Sequence, residues 1–151
     1  VLDLASRLLP HMAPGVAAAE SVRENPGTLD LRRTADPVAA TAAAVSDVLA
    51  HPGSVGVIVA DADVATVAGR LGVGHVVLGS DDEGTARVAV VPASLAKGLE
   101  YDHVVVVEPA RIVAAEPSMQ QGLRRLYVVL TRAVTGLVVV HGEPLPDELA
   151  A

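Results

Sequence analysis

Short hydrophobic runs alternate with helix-like patterns along this chain. Apolar residues, mostly valine, dominate 54–60, 88–91, 104–107 and 137–140. Continuous runs of this kind are typical of strands buried on both faces, as in parallel sheets. The stretch 27–33 (GTLDLRR) instead alternates apolar and polar residues, which predicts a strand with one exposed face.

Helical spacing fills the intervals between these runs. Apolar residues recur at helical intervals in 1–9, and Pro10 is expected to end that helix because proline has no N–H to donate. Residues 37–50 begin with proline and continue with Ala-rich periodicity, which predicts a second helix. Asp61 or Asp63 is expected to cap a third helix, since a carboxylate accepts the unpaired amides of a first turn. The alternation predicts a three-layer α/β domain with a mostly parallel sheet.

The clearest helix pattern begins at Ser118. Ser118 and Gln121 form an S-x-x-Q capping box, in which two side chains satisfy otherwise unpaired backbone donors. The apolar residues that follow recur at helical spacing at Met119, Leu123, Leu126 and Leu130. Residues 110–117 are expected to form a connector before this helix, and Gly136 is expected to end it before a last strand.

Composition limits the function classes. The chain has 151 residues and 51% hydrophobic content, which suits one domain, and its core must be aliphatic because Phe and Trp are absent. The net charge of −7 and the scarcity of aromatic side chains argue against a stand-alone nucleic-acid binder. The absence of Cys excludes disulfides and thiolate metal sites, and the five His residues include no i,i+4 pair, so no metal site is expected.

Membrane and export signals are also lacking. No apolar run approaches the roughly 18 residues of a membrane span, and no basic segment followed by an apolar one indicates a signal peptide. A cytoplasmic protein without a membrane partner is therefore expected. The chain begins with Val in the middle of a helical pattern, which favours a fragment of a longer protein.

The stretch 87–109 carries the densest candidate chemistry. Between its two apolar runs lies a polar loop with Lys97, Gly98, Glu100 and Asp102. Because open α/β sheets bind ligands at the carboxyl ends of their strands, we expect this loop to lie at that end of the sheet. The pattern GxxxxGK[ST] is absent and VVPASLA contains no glycine cradle, so this lysine does not belong to a Walker A motif.

Two arginines of the late helix are also candidates for a site. Arg125 and Arg132 are seven residues apart and so share one helix face. Arg132, near the end of the helix, could offset the helix dipole or form a surface ion pair. It could also bind a phosphate, since a guanidinium presents a fixed fork of donors and stays charged. Spacing alone leaves both interpretations open.

Two segments together resemble a known family. Residues 96–101 (AKGLEY) look like motif V, and 123–133 (LRRLYVVLTRA) look like motif VI, of superfamily 1 helicase-like motors of the UvrD/Rep type. Residues 1–5 also resemble the segment that follows motif IV of that family. The resemblance implies that 1–143 form a second RecA-like, P-loop NTPase-like motor domain without a Walker A of its own. Residues 144–151 would then be a C-terminal tail.

Departures from the family pattern refine this assignment. Pro92 and Ser94 stand where family helicases usually carry Thr and His. Three features look more like the HelD-type branch, whose members are ATPases that bind and recycle RNA polymerase. They are these two residues, the short segment between the strand at 54–60 and motif V, and the run VVVVEPARIV. Two alternatives stay open: a DNA-unwinding helicase of the UvrD/Rep type, and a non-catalytic α/β interaction module derived from one.

The resemblance also implies roles for particular residues. Arg132 matches the motif VI arginine that contacts the γ-phosphate as an arginine finger. Glu100 matches the motif V carboxylate near the nucleotide ribose, Gly98 permits close backbone approach, and Lys97 is a supporting charge. Second-tier positions of the same site are Thr131 and Arg125.

The cofactor and partners implied by the resemblance lie partly outside this chain. ATP would bind between this domain and an absent N-terminal RecA-like domain in cis, which would supply Walker A, Walker B and the Mg²⁺ ligands. The longer protein would be an ATP-hydrolysing motor that moves DNA or displaces RNA polymerase. The isolated chain would bind ATP weakly and hydrolyse none.

Overall fold

A six-stranded parallel sheet forms the centre of the chain, whose computed structural model describes residues 2–12, 28–80 and 86–150. Its strands run in the order β1-β6-β5-β2-β4-β3, and every described pair is parallel. The strand bounds are β1 Thr28–Arg33, β2 Val55–Val59, β3 Val76–Val77, β4 Val88–Pro92, β5 Tyr101–Val107 and β6 Ala133–His141. This architecture confirms the predicted α/β fold with a mostly parallel sheet.

Helices cover both faces of the sheet. Their bounds are α1 Leu2–Ser6, α2 Leu9–Met12, α3 Pro37–Val48, α4 Val64–Arg70, α5 Pro109–Ala114, α6 Met119–Leu130 and α7 Asp147–Ala150, with 3-10 turns at Asp61–Asp63 and Ala93–Leu95. Helices α3 and α4 pack on one face. The turn Ala93–Leu95 and the helices α1, α2, α5, α6 and α7 pack on the other.

The central strand β5 shows why an unbroken valine run is stable here. Successive strand side chains point to opposite faces, so Val104 and Val106 enter the core under α6, while Val105 and Val107 enter the core under α3. All four are at most 3% exposed. Each buried side chain contributes about 2 kcal/mol, and a polar residue at any of these positions would lose that contribution.

Three helix boundaries differ from the sequence prediction. Pro10 does not end a helix but lies in the first turn of α2, where the missing N–H needs no intrahelical acceptor. Residues 110–117, expected to be a connector, contain most of α5, which begins at Pro109. Helix α6 ends at Leu130, whereas Gly136 lies inside β6. A side chain at Gly136 would approach Thr28 Oγ1 to 2.8 Å, so close strand packing explains this glycine.

Side-chain hydrogen bonds replace glycine at the end of α6. The Thr131 hydroxyl donates to the carbonyls of Tyr127 and Val128, at 2.9 and 3.0 Å. At the start of the helix, Ser118 Oγ accepts from the Gln121 amide at 3.2 Å, as the capping pattern predicts. The Gln121 side chain completes this cap by accepting from the Ser118 hydroxyl rather than from its backbone.

Two further predictions are wrong: an aspartate side chain as the cap of α4, and a strand at 27–33 with only one exposed face. Neither Asp61 nor Asp63 caps α4 with its side chain, because tertiary partners occupy both carboxylates. Strand β1 exposes nearly all of its residues, since it lies at the edge of the sheet. Near the chain end, Leu149 is 2% exposed and packs in the core under α6, so α7 is attached to the domain.

Candidate functional site

The loop between β4 and β5 crosses the sheet from one end to the other. Its first turn, Ala93–Leu95, follows Pro92, which pairs with the last residue of β2. Its far end leads into Tyr101, two residues before His103, which pairs with the first residue of β2. The expectation that the whole loop lies at the carboxyl ends is therefore wrong. Because β4 and β5 are parallel and both flank β2, the chain must return to the amino end before β5 can begin.

Arg132 binds this loop where it returns to the amino end of the sheet. Its Nη1 donates to the Leu99 carbonyl at 3.1 Å, and its own carbonyl accepts from the Tyr101 amide at 3.1 Å. Its Nε donates to the Val128 carbonyl at 2.9 Å, and its Nη2 to Thr131 Oγ1 at 3.2 Å. The structure thus brings together the two segments that the sequence singled out. Three of the five guanidinium N–H donors have described acceptors, which leaves two for a further contact.

Three candidate residues of this loop face solvent. Lys97, Gly98 and Glu100 are exposed, and neither charged side chain has a hydrogen-bond partner among the described residues. Gly98 has a φ of +84°, a conformation that other residues rarely adopt, and nothing lies within 4 Å of the position its Cβ would take. The loop therefore presents a lysine, a carboxylate and open backbone to any ligand that approaches this end of the sheet.

Arg125 lies near the opposite end of the same loop. Its Nε pairs with Glu116 at 2.8 Å, and its Nη1 donates to the Ser94 carbonyl at 3.3 Å. Arg132 lies in the turn that follows α6 rather than on the helix, so the predicted shared helix face is wrong and the two arginines do not form one common site. Arg125 and Arg132 bind backbone carbonyls at the two ends of a single loop.

A second cluster of charges surrounds the carboxyl ends of β2 and β5. Asp61 accepts from both the Ser94 amide and the Ser94 hydroxyl, at 3.1 and 2.5 Å. Asp63 pairs in bidentate fashion with Arg111 at 2.5 and 2.7 Å, and this partner raises the pKa of the Arg111 guanidinium. No local sequence pattern indicated either contact, because the partners are 33 and 48 residues apart.

Glu108 completes the carboxyl-end cluster. It has a φ of +53° and is 7% exposed, and its carboxylate accepts from the amides of Gly142 and Glu143. A hydrogen bond to Glu108 is the main cause of the raised pKa of the Glu143 carboxyl, followed by desolvation and by repulsion from Glu108. The left-handed backbone at Glu108 turns the chain from β5 into α5.

A cavity also lies on the α3 side of β1 and β6. It encloses about 670 Å³ and shares no lining residue with the Arg132 cluster. Its charged groups are paired within the fold, since Arg32 donates to Asp30 and Asp47 at 2.8 and 2.9 Å. Asp102 accepts from the Ser54 amide at 2.8 Å, which lowers the pKa of that carboxyl. Because these charged groups are already bonded within the fold, we do not take this cavity as the candidate site.

The part of the chain that the structure describes contains neither a metal-binding cluster nor a membrane-spanning helix. Across 2–12, 28–80 and 86–150, no group of three or more His, Asp or Glu side chains could hold a metal ion. No helix within those ranges is both long and apolar enough to cross a membrane.

Comparison with known proteins supports the motif assignment. Residues 88–140 match the family described as UvrD-like helicase C-terminal domain. The fold matches the crystal structure of the C-terminal domain of a possible DNA helicase from Lactobacillus plantarum WCFS1, with a TM-score of 0.70 and 18% identity over 97% of this chain and 88% of that one. No curated protein matches the chain. In its matched segment and in its fold, this chain is therefore similar to the C-terminal domains of UvrD-like helicases.

Proposed function

We propose that this chain is the second motor domain of an ATP-driven, superfamily 1 helicase-like protein. The observation that carries this proposal is the direct bonding of Arg132 to the loop that holds Lys97, Gly98 and Glu100. All four residues lie inside the segment that matches the helicase family. ATP would bind between this end of the sheet and a first motor domain.

Arg132 would act in the chemical step. Charge develops on the γ-phosphoryl oxygens during transfer, and a fixed guanidinium stabilises that charge more in the transition state than in the ground state. The side chain is already oriented by Val128, Leu99 and Thr131, so little reorganisation is needed when the domains close. Thr131 would therefore serve to orient the arginine.

The other exposed groups would hold the nucleotide. Glu100 would accept hydrogen bonds from the ribose, Lys97 would add positive charge, and the open backbone at Gly98 would allow close approach. The first domain would supply Walker A, Walker B and the Mg²⁺ ligands, and Mg²⁺ would neutralise charge on the β- and γ-phosphates. Arg125 would act indirectly, through the Ser94 carbonyl.

Substitution of Arg132 in the full-length protein tests this proposal. Arg132→Ala should lower the rate of ATP hydrolysis by about 1,000-fold, the lower range for removal of an arginine finger, and leave nucleotide affinity within a few-fold. Arg111→Ala is the matched control, since Arg111 is paired with Asp63 at the other end of the sheet. Hydrolysis that survives Arg132→Ala would show that the assignment is wrong.

The division between two domains can be tested with the 151-residue chain alone. It should bind ATP weakly, because it would supply only one side of the cleft, and it should not hydrolyse ATP. Measured turnover by the purified chain would contradict the proposed division. If the full-length protein also lacks ATPase activity, the chain is a non-catalytic interaction module instead.

For the finer role we propose displacement of RNA polymerase, as in the HelD-type branch, rather than DNA unwinding. In support, carboxylates outnumber the arginines paired with them at the carboxyl ends of β2 and β5, an arrangement that repels nucleic-acid phosphates. These groups are Asp61, Asp63, Glu108, Glu116 and Glu143 with Arg111 and Arg125. Pull-down of RNA polymerase should succeed and strand separation should be weak; strong unwinding without polymerase binding would contradict this choice.

A further inference from the structure

We propose that Asp61 and Ser94 are positioning residues, which hold the loop 93–100 in register with Arg132. This inference rests on the proposed function, because the loop carries Lys97 and Glu100. Asp61 lies just beyond the carboxyl end of β2, and its two carboxylate oxygens accept from the Ser94 amide and hydroxyl, respectively. The first turn of the loop is thereby attached to the centre of the sheet.

Ser94 uses each of its polar groups in this attachment. Its amide and hydroxyl donate to Asp61, and its carbonyl accepts from Arg125 at 3.3 Å. Hydrogen bonds that involve a charged group are stronger than neutral ones. Ser94 therefore joins three separate parts of the fold: the end of β2, the loop and helix α6.

Displacement at Ser94 would reach Arg132 through a short path. Ala93 and Ala96, which flank Ser94 and Leu95, are 4% and 0% exposed, so a shift of the turn would displace both buried side chains. The Leu99 amide donates to the Ala96 carbonyl at 3.2 Å, and the Leu99 carbonyl binds Arg132. Each step is a direct contact, so a shift of the loop would also shift the guanidinium.

A neighbouring residue shows that this contact is specific to Asp61. Asp63 lies in the same 3-10 turn, two residues later, but its carboxylate pairs with Arg111 on α5. It has no hydrogen bond to the loop among the described residues. Substitution of Asp63 would thus remove a carboxylate from the same turn without releasing Ser94, which makes it a matched control.

Kinetics of the full-length protein provide the first test. Asp61→Ala and Ser94→Ala should each lower kcat for ATP hydrolysis about 10-fold while KM changes less than about two-fold, because a small misplacement of a catalytic group affects the transition state most. Ser94→Thr keeps the hydroxyl and should restore most of kcat, and Asp63→Ala should match the wild type. Equal kcat for Asp61→Ala and Asp63→Ala would overturn the inference.

Hydrogen exchange of the same proteins separates this inference from the proposed function. In Asp61→Ala, the Ser94 and Tyr101 amides should exchange at least about 10-fold faster, since each loses protection when the loop is released. Unchanged exchange at both amides would overturn the positioning role whatever the kinetics show. Absence of ATPase activity in the wild type would instead overturn the proposed function, and exchange would then decide the positioning role alone.

Discussion

Two clusters of charged residues, at opposite ends of the parallel sheet, differ in how their charges are bonded. At the amino ends of β5 and β6, Lys97 and Glu100 are exposed without described side-chain partners, and Arg132 has donors to spare. At the carboxyl ends of β2 and β5, charged groups are bonded inside the fold. These bonded groups are Asp61, Asp63, Arg111, Glu108, Glu116 and Arg125.

This difference favours the cluster around Arg132 as the proposed ligand site. A charge whose hydrogen bonds are complete within the fold contributes to stability, and a ligand would have to displace its partners. A charged side chain that has no partner in the fold can bind a ligand without first breaking a hydrogen bond. Parallel sheets usually bind ligands at the carboxyl ends of their strands. Here the loop between β4 and β5 carries the exposed groups to the amino end. The contrast between the two clusters predicts which substitutions affect activity and which affect stability.

Among the effects that this comparison predicts, the largest is expected at Glu100, and the exposed Glu143 at the opposite end of the sheet is its control. In the full-length protein, Glu100→Ala should lower kcat/KM for ATP about 10- to 100-fold, the equivalent of one lost hydrogen bond to a charged group. Glu143→Ala should change it less than about two-fold, because Glu143 lies at the other end. Equal effects in steady-state kinetics would remove the functional distinction between the two ends.

A stability effect of intermediate size is expected at Glu108. Glu108→Ala should lower the free energy of unfolding of the 151-residue chain by about 2 kcal/mol, because the Gly142 and Glu143 amides lose their acceptor. Lys97→Ala should change it by less than about 0.5 kcal/mol, as is usual for an exposed residue without partners. Urea unfolding measures both values. If Lys97→Ala lowers the free energy of unfolding more than Glu108→Ala does, the proposed difference between the two clusters is wrong.

The smallest effect is an opposite response to pH. The pKa of Asp102 is lowered by its hydrogen bond from Ser54, so its stabilisation is complete above its ordinary value of 3.8 and is lost as pH falls through the lowered pKa. The pKa of Glu143 is raised by its hydrogen bond with Glu108, so its stabilisation is complete below its ordinary value of 4.5 and is lost as pH rises through the raised pKa.

Two variants test this opposition by chemical unfolding at several pH values. Asp102→Asn should lose less stability than the wild type on acidification, and Glu143→Gln should lose less as pH rises from about 4 to about 7. Both changes should be small, because solvent screens partly exposed groups. If both substitutions reduced the loss of stability on acidification, or if both increased it, the assigned hydrogen bonds would be contradicted.

Some parts of this protein could be read from local sequence because their cause is local. The valine runs of β2, β4, β5 and β6 and the serine cap of α6 follow from side-chain periodicity and from the donors of a first helical turn. The family resemblance implied that Arg132 and the loop 96–101 belong to one site, which stays a prediction; the hydrogen bond from Arg132 to the Leu99 carbonyl is a finding of the structure.

Other parts depend on which strands are neighbours, and this no local pattern encodes. Because β2 lies between β4 and β5, the loop must cross the sheet, which places Lys97 and Glu100 at its amino end. The same strand order brings Asp61 to Ser94, so a carboxylate that could have capped a helix holds a loop instead. The sequence by itself determined the strands, the late helix and the residues with candidate chemistry. Only the tertiary structure decided where those residues meet, since long-range pairing sets the partners of each side chain.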